Sequence, residues 1–381
     1  MFPSQEKTPQ KEERPTEEQD DQGLVSQLLV QAETLAESLA FAFDTPSGLP
    51  ANKLNLATKS SPDSTTGVAV AGTLVLEWTR LSDLTGNPRW AKLAQQGESH
   101  LLKPEPASLG EPFPGLLGRE LDLTTGDFLS TAGGWSSGSD SFYEYLLKMW
   151  LYSPTRFSAY RDRWLAAVDS TVTHLLQPVA HEPSAAFVAE YINKTLVLAE
   201  GHLTCFAGGS LALGGAVLGR SAILTAGLQL TAGCAYAYEA TPAQIAPERW
   251  AWDKASVPAE QASFFASTGF YTTDASYNLR PEAIESFYHG HVLTGDSKYR
   301  QWAWNAFTAI NATARTSSGF SSFANVMVED GGIKKDVQES FWFAETLKYS
   351  YLIFAPPGPV GIGPNSPWVF NTEAHPLSVA A

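Results

Sequence analysis

The sequence is short of positive charge. Its 25 Lys and Arg stand against 40 Asp and Glu, giving a net charge of −15, which argues against nucleic acid or an anionic membrane surface as the partner. Long apolar runs are missing too, so no segment is expected to span a bilayer. Cysteine is scarce: Cys205 and Cys234 are the 2 in 381 residues, and such a pair fits a disulfide or two buried thiols. Clear period-2 alternation is rare, which speaks against a β-rich fold. Met1 to Gln22, rich in Glu, Lys, Pro and Gln, carries no signal-peptide pattern and reads as a disordered tail.

What is present is apolar and aromatic. Hydrophobic residues make up 44% and aromatic residues 12%, including 11 Trp. That is enough for a large core, with stacking on sugar faces as a second use for the rings. A helical stripe runs through Leu24, Leu28, Leu35, Leu39 and Phe43, and a second helix is expected over 68–81. Leu84-Thr-Gly-Asn-Pro-Arg-Trp90 then forms a joint in which Gly86 ends one helix and Asn87 caps the next. Leu293-Thr-Gly-Asp-Ser-Lys-Tyr299 repeats the device with Gly295 and Asp296, which suggests an array of αα-hairpins. Further helices are expected at about 140–153, 156–176, 202–218, 221–239, 281–293, 297–314 and 337–354, separated by Gly/Ser/Pro-rich loops. The chain reads as all-α.

Several short stretches carry chemistry, each with a plain structural alternative. In Leu279-Arg-Pro-Glu-Ala-Ile-Glu-Ser-Phe-Tyr288, Pro281 suits the first helical position. Arg280 then falls at the N-cap, a poor place for arginine, and Glu282 at the mouth, where the helix dipole favours its charge. Glu285 shares that face. Asp140 opens another helix, either as an N-cap in a capping box with Ser141 and Glu144 or as a second carboxylate at the same rim. His202 begins the Gly201–Gly209 segment. Glu345 lies among Phe341, Trp342, Phe343, Ala344 and Leu347; a carboxylate there needs a partner, either Lys348 or a metal. Asp336 and Glu339 suggest a capping box of their own. Near the end, Thr372, Glu373 and His375 stand together, and threonine offers a hydroxyl and a carbonyl to a hard cation.

HLTCFAGG at 202–209, DSFYEYLLK at 140–148, LRPEAIESFY at 279–288, ESFWFAETLKY at 339–349 and FNTEAHP at 370–376 occur in the order found in family-47 glycoside hydrolases, the class I α-1,2-mannosidases. LVLEWTRLSDLTGNPRW and FDTPSGLP resemble the fungal members, and the resemblance covers about residues 24–376. It implies an (αα)7 barrel, inverting release of terminal α-1,2-linked mannose from high-mannose N-glycans, a bound Ca²⁺, a monomer, and a place in the ER or Golgi lumen or outside the cell. Residue by residue, it makes Glu282 the general base and Asp140 the second catalytic carboxylate. Thr372 becomes the direct Ca²⁺ ligand, and Glu248, Glu285, Glu345 and Glu373 contact sugar or the metal's water shell. Arg280, His202 and Phe341 line the mannose pocket, and Cys205 pairs with Cys234. The family's W-G-x-T-L-x-D-x-L-D and F-E-T-x-I-R stretches, the second carrying its proposed general acid, have no counterpart here. About the first two hairpins are therefore expected to be missing from a barrel domain spanning 23–381, and a non-catalytic mannose-binding or degenerate paralogue is the alternative reading. Gly138, two residues before Asp140, resembles the broader trimming enzymes, since those that remove one mannose carry arginine there.

Overall fold

The computed structural model describes residues 17–105, 107–356, 358 and 360–380. Helix α1, Glu17–Leu39, starts inside the expected tail. Residues 17–22 are therefore helical rather than disordered, and the rest of that tail lies outside the described residues. Beyond α1 come α2 Val68–Gly72, α3 Val75–Thr85, α4 Arg89–Leu102, α5 Ala107–Gly110, α6 Asp140–Tyr152 and α7 Ser158–Ser170. They are followed by α8 Phe206–Val217, α9 Ser221–Ala240, α10 Ala262–Thr268, α11 Glu282–Thr294, α12 Ser297–Ala314 and α13 Lys348–Leu352. The long helices pair as hairpins, α3 with α4, α6 with α7, α8 with α9 and α11 with α12. The first member of each also packs on the next: α3 on α6, α6 on α8, α8 on α11 and α11 on α13. These helices make an inner row and their partners an outer one. The strands form small two- and three-stranded antiparallel sheets between hairpins.

The two joints form as the sequence predicts. Gly86 (φ 71°) and Gly295 (φ 70°) take the left-handed conformation that releases the chain from the helix. Asn87 Oδ1 accepts from the Arg89 N–H at 3.1 Å, and Asp296 Oδ1 from the Lys298 N–H at 2.9 Å. The helix expected over 337–354 loses its first turn. Asp336 has φ 53°, and its neighbours bond across to another segment: the Lys335 N–H donates to the Ser322 carbonyl and the Ser322 N–H to the Val337 carbonyl. With those groups committed there is no capping box. Helical backbone begins at Phe341 and runs through a π-type turn, Trp342–Leu347, into α13.

The core divides into one cluster around Trp135, Tyr143 and Trp164 and another around Trp250, Phe287 and Trp342. The first is built on α6 and α8 and the second on α11, and these three inner helices are buried nearly all round. α1 is the exception, with Leu24, Val25, Leu28 and Leu35 each at least 55% exposed. Among the described residues, no helix is long and apolar enough to cross a membrane.

Candidate active site

The site is assembled at the N-terminal ends of inner helices. Pro281 occupies the N-cap position of α11 and Glu282 is its first residue, so Arg280 stands just outside the helix instead of capping it. Its Nε donates to Glu248 Oε2 at 2.7 Å, its Nη1 lies 3.9 Å from Glu282 Oε1, and its guanidinium sits 5.9 Å from the Phe341 ring centre. Glu248 also accepts from the Asn278 N–H at 2.9 Å, so this carboxylate braces the arginine. His202, fully buried, places Nδ1 2.8 Å from Glu282 Oε2 and Nε2 2.8 Å from the Tyr238 hydroxyl. The tautomer with hydrogen on Nδ1 satisfies both contacts: it donates to the carboxylate and accepts from tyrosine.

Asp140 is the first residue of α6, after Ser139, and no side-chain cap bond forms there. The capping box with Ser141 and Glu144 is absent because both partners are used elsewhere. Ser141 Oγ accepts from Thr73 Oγ1 at 2.7 Å, and Glu144 pairs with Lys148 one turn on. A cavity of about 250 Å³ is lined by Asp140, Glu144, Arg280, Glu282, Glu285, Phe341, Glu345, Thr372 and Glu373, with Leu203 and Phe206 on its apolar side. Every residue expected to act in catalysis or to hold sugar or metal thus lines this cavity or, in His202 and Glu248, bonds to a residue that does. Cys205 and Cys234 form a disulfide with Cα atoms 5.9 Å apart, pinning the turn that carries His202 to α9. Of the two partners open to Glu345, Lys348 is used elsewhere: its Nζ donates to the Ala374 carbonyl at 2.9 Å.

The charges are unevenly compensated. Burial opposes ionisation of Glu282, but the His202 hydrogen bond and the charge of Arg280 outweigh it and hold the carboxyl below its ordinary value. Asp140 goes the other way: burial, helped by the nearby charges of Glu144 and Glu282, pushes it up to about 6. Burial and the Glu144 charge raise Glu285 to about 8. Burial and the charges of Glu285, Glu282, Glu373 and Glu144 raise Glu345 to about 10. The cavity therefore holds one well-stabilised carboxylate, one carboxyl poised near pH 6, and a crowd of acids short of positive charge. Tyr238, Lys148 and Tyr349, whose hydroxyl lies 3.4 Å from Glu285 Oε1, were missed by sequence reasoning. The contacts of the two tyrosines cross between elements and leave no local pattern, whereas Glu144–Lys148 is an i,i+4 pair that the spacing could have shown.

Comparison with known proteins agrees. The model of Glycosyl hydrolase family 47 matches residues 19–379. A mannosyl-oligosaccharide alpha-1,2-mannosidase of Coccidioides posadasii is 52% identical over 363 residues, 94% of this chain and 70% of that protein. One of Penicillium citrinum is 50% identical, covering 95% of this chain and 71% of its own length. The solved alpha-1,2-mannosidase from Trichoderma reesei superposes with a TM-score of 0.92 at 43% identity, over 94% of this chain and 76% of that one. The inner and outer rows of helices are thus those of an αα barrel, and the chain is a glycoside hydrolase belonging to glycosyl hydrolase family 47.

Proposed function

We propose that this chain is a mannosyl-oligosaccharide α-1,2-mannosidase that removes terminal α-1,2-linked mannose from high-mannose N-glycans with inversion, in the secretory pathway. The observation that carries the reading is the opposed pair in one cavity: Glu282 held ionised by His202 and Arg280, and Asp140 held up to about 6. Two carboxyls whose surroundings drive their pKa values apart are an acid and a base, and inverting hydrolysis needs both. Glu282 takes a proton from the attacking water, and His202 and Arg280 fix its orientation. Asp140, still protonated in mildly acidic solution, gives its proton to the departing glycosidic oxygen. Asp140 is the cavity acid whose value suits the task. Arg280 and Phe341, stacked on each other, and Glu248 behind them form the wall for the mannose ring.

The donor set also fits a hard cation. Neither the hydroxyl nor the carbonyl oxygen of Thr372 has a hydrogen-bond partner among the described residues. Glu285, Glu345 and Glu373 line the same cavity, where crowding and burial oppose ionisation of the first two until a cation is near. Among the described residues no three acidic, histidine or cysteine side chains are close enough to hold an ion directly. That suits an ion held by Thr372 and otherwise by water, with the carboxylates in the next layer. Ca²⁺ there would supply charge to neutralise those acids and a fixed anchor for sugar hydroxyls.

The test is Ca²⁺-dependent release of mannose from a high-mannose N-glycan by the purified chain, with Glu282→Gln alongside. Release by the wild type and a loss of about 10²–10⁴-fold in the variant is expected. Glycan binding without release would overturn the catalytic reading in favour of a mannose-binding protein.

A further inference from the structure

Thr372 is framed by side chains from outside its own turn, and two of the contacts converge on a single atom of α3. Glu77, in α3, is sandwiched in sequence between Leu76 and Trp78. Its Oε1 accepts from the Tyr145 hydroxyl at 2.6 Å and from Asn371 Nδ2 at 2.9 Å. The Tyr145 oxygen in turn accepts from the Thr372 N–H at 3.2 Å. Asn371 Oδ1 accepts from the N–H groups of Glu373 at 3.0 Å and His375 at 2.8 Å. Two lysines finish the frame: Lys148 donates to the Asn371 carbonyl at 3.1 Å and Lys348 to the Ala374 carbonyl at 2.9 Å. Every backbone N–H from Asn371 to His375 is tied down, while among the described residues Thr372's own two oxygens are left over.

Packing alone would be better served by an apolar residue at position 77. Glu77 Oε2 is buried and has no partner among the described residues, and a buried carboxyl satisfied on one side only is costly. A cost borne at that position makes sense if the other oxygen does something an apolar side chain cannot. The Asn371 amide can brace Glu373 and His375 only in one orientation, with its NH₂ toward α3. Glu77 is what fixes that orientation, and by taking the tyrosine proton it leaves the Tyr145 oxygen free to accept from Thr372.

We propose that Glu77, Tyr145 and Asn371 are positioning residues that preset the two oxygens of Thr372 for a hard divalent cation. The inference rests on the cation reading of Thr372 given above and extends it from α6 and the terminal turn to α3, a helix that contributes no residue to the cavity lining. Outer-shell groups of this kind are worth about 10–100-fold in metal affinity.

The test is calorimetric titration of the EDTA-stripped full chain with Ca²⁺ alone, together with thermal unfolding in the absence of Ca²⁺. Wild type is expected to bind one ion. Asn371→Ala and Tyr145→Phe are expected to bind it about 10–100-fold more weakly, Tyr145→Phe with a near wild-type metal-free melting point because it removes only one oxygen. Glu77→Leu, which removes the shared acceptor and keeps an apolar side chain in its place, should weaken binding similarly while leaving the metal-free melting point at or above that of wild type. A merely structural role would lower the melting point instead of the affinity. Wild-type affinity in both Tyr145→Phe and Glu77→Leu would overturn the clamp. Failure of the wild type to bind Ca²⁺ would instead overturn the reading of Thr372 itself, and the clamp with it.

Discussion

Removing the disulfide by Cys205→Ala/Cys234→Ala should cost stability in a calculable amount and leave the chemistry in place. The bridge closes a loop with a sequence separation of 29. The chain-entropy relation for that length gives a loss of about 3.6 kcal/mol from the lifted constraint on the unfolded chain. Both sulfurs are buried, with Cys205 2% and Cys234 4% exposed, so alanine is the right replacement; serine would add an unpaired hydroxyl. At about 2.1 cal/mol/K of unfolding entropy per residue, 381 residues turn that loss into a fall in melting temperature of about 4–5 °C. The native geometry should persist, because α8 and α9 pack along their length and Ser286 Oγ still bonds the Cys205 carbonyl and accepts from the Gly209 N–H. His202 therefore stays on Glu282. Urea titration followed by tryptophan fluorescence reads the stability change, and mannose release at low temperature reads the site. An unchanged midpoint would show that the 205–234 loop is already closed in the unfolded ensemble. A loss of kcat in still-folded protein would show that the bridge, not the helix packing, sets the His202–Glu282 contact.

The log kcat/KM profile should rise as pH climbs past the Glu282 value, below 4.5, and fall as it climbs through about 6, where Asp140 gives up its proton. Asp140→Asn should lower the rate and abolish the alkaline limb; a limb that survives in the variant assigns it to another group. Glu98, fully buried with neither carboxyl oxygen partnered among the described residues, has its carboxyl pushed well up by burial. Its folded-state value lies above its unfolded one, so its charge costs stability as pH rises beyond the ordinary carboxyl range. Glu98→Met should stabilise by about 1–3 kcal/mol, more at pH 8 than at pH 4, as read by thermal unfolding at both pH values; equal gains would mean the carboxyl is not titrating with folding. Leu24→Glu with Leu28→Lys on the exposed face of α1 should cut binding of a hydrophobic dye and slow aggregation without lowering the melting point. A lower melting point would place those side chains in the packed structure.

The hairpin array was legible because its signals are local. Gly86 with Asn87 and Gly295 with Asp296 are joints whose left-handed residue and cap sit side by side in sequence, and the structure keeps both. The stretch at 337–354 misled because its competitor is remote: a helical pattern at Asp336–Glu339 lost to hydrogen bonds with Ser322. Gly138 teaches a similar lesson about function. Its missing side chain resembles a specificity signal, but with φ 94° the backbone itself calls for glycine. The small residue has a conformational cause before it has a substrate one.

The site divides along the same line between local and remote. Glu282, Asp140 and Thr372 stand at helix mouths or turns, where a carboxylate or hydroxyl out of step with its surroundings is visible in the sequence. What sets their behaviour is not visible there. Glu282 is ionised because His202 arrives from 80 residues away, held in its tautomer by Tyr238 on a third element. Thr372 is framed from α3, 294 residues from its neighbour Asn371. Each of those supporting residues, read alone, is an ordinary helix residue: Tyr238 and Tyr145 sit in apolar stripes, and Glu77 passes for first-turn dipole compensation. Their roles come from which helices adjoin in the barrel. A motif therefore finds the groups that line the cavity, whereas the groups bonded to them emerge only once the inner helices are placed side by side.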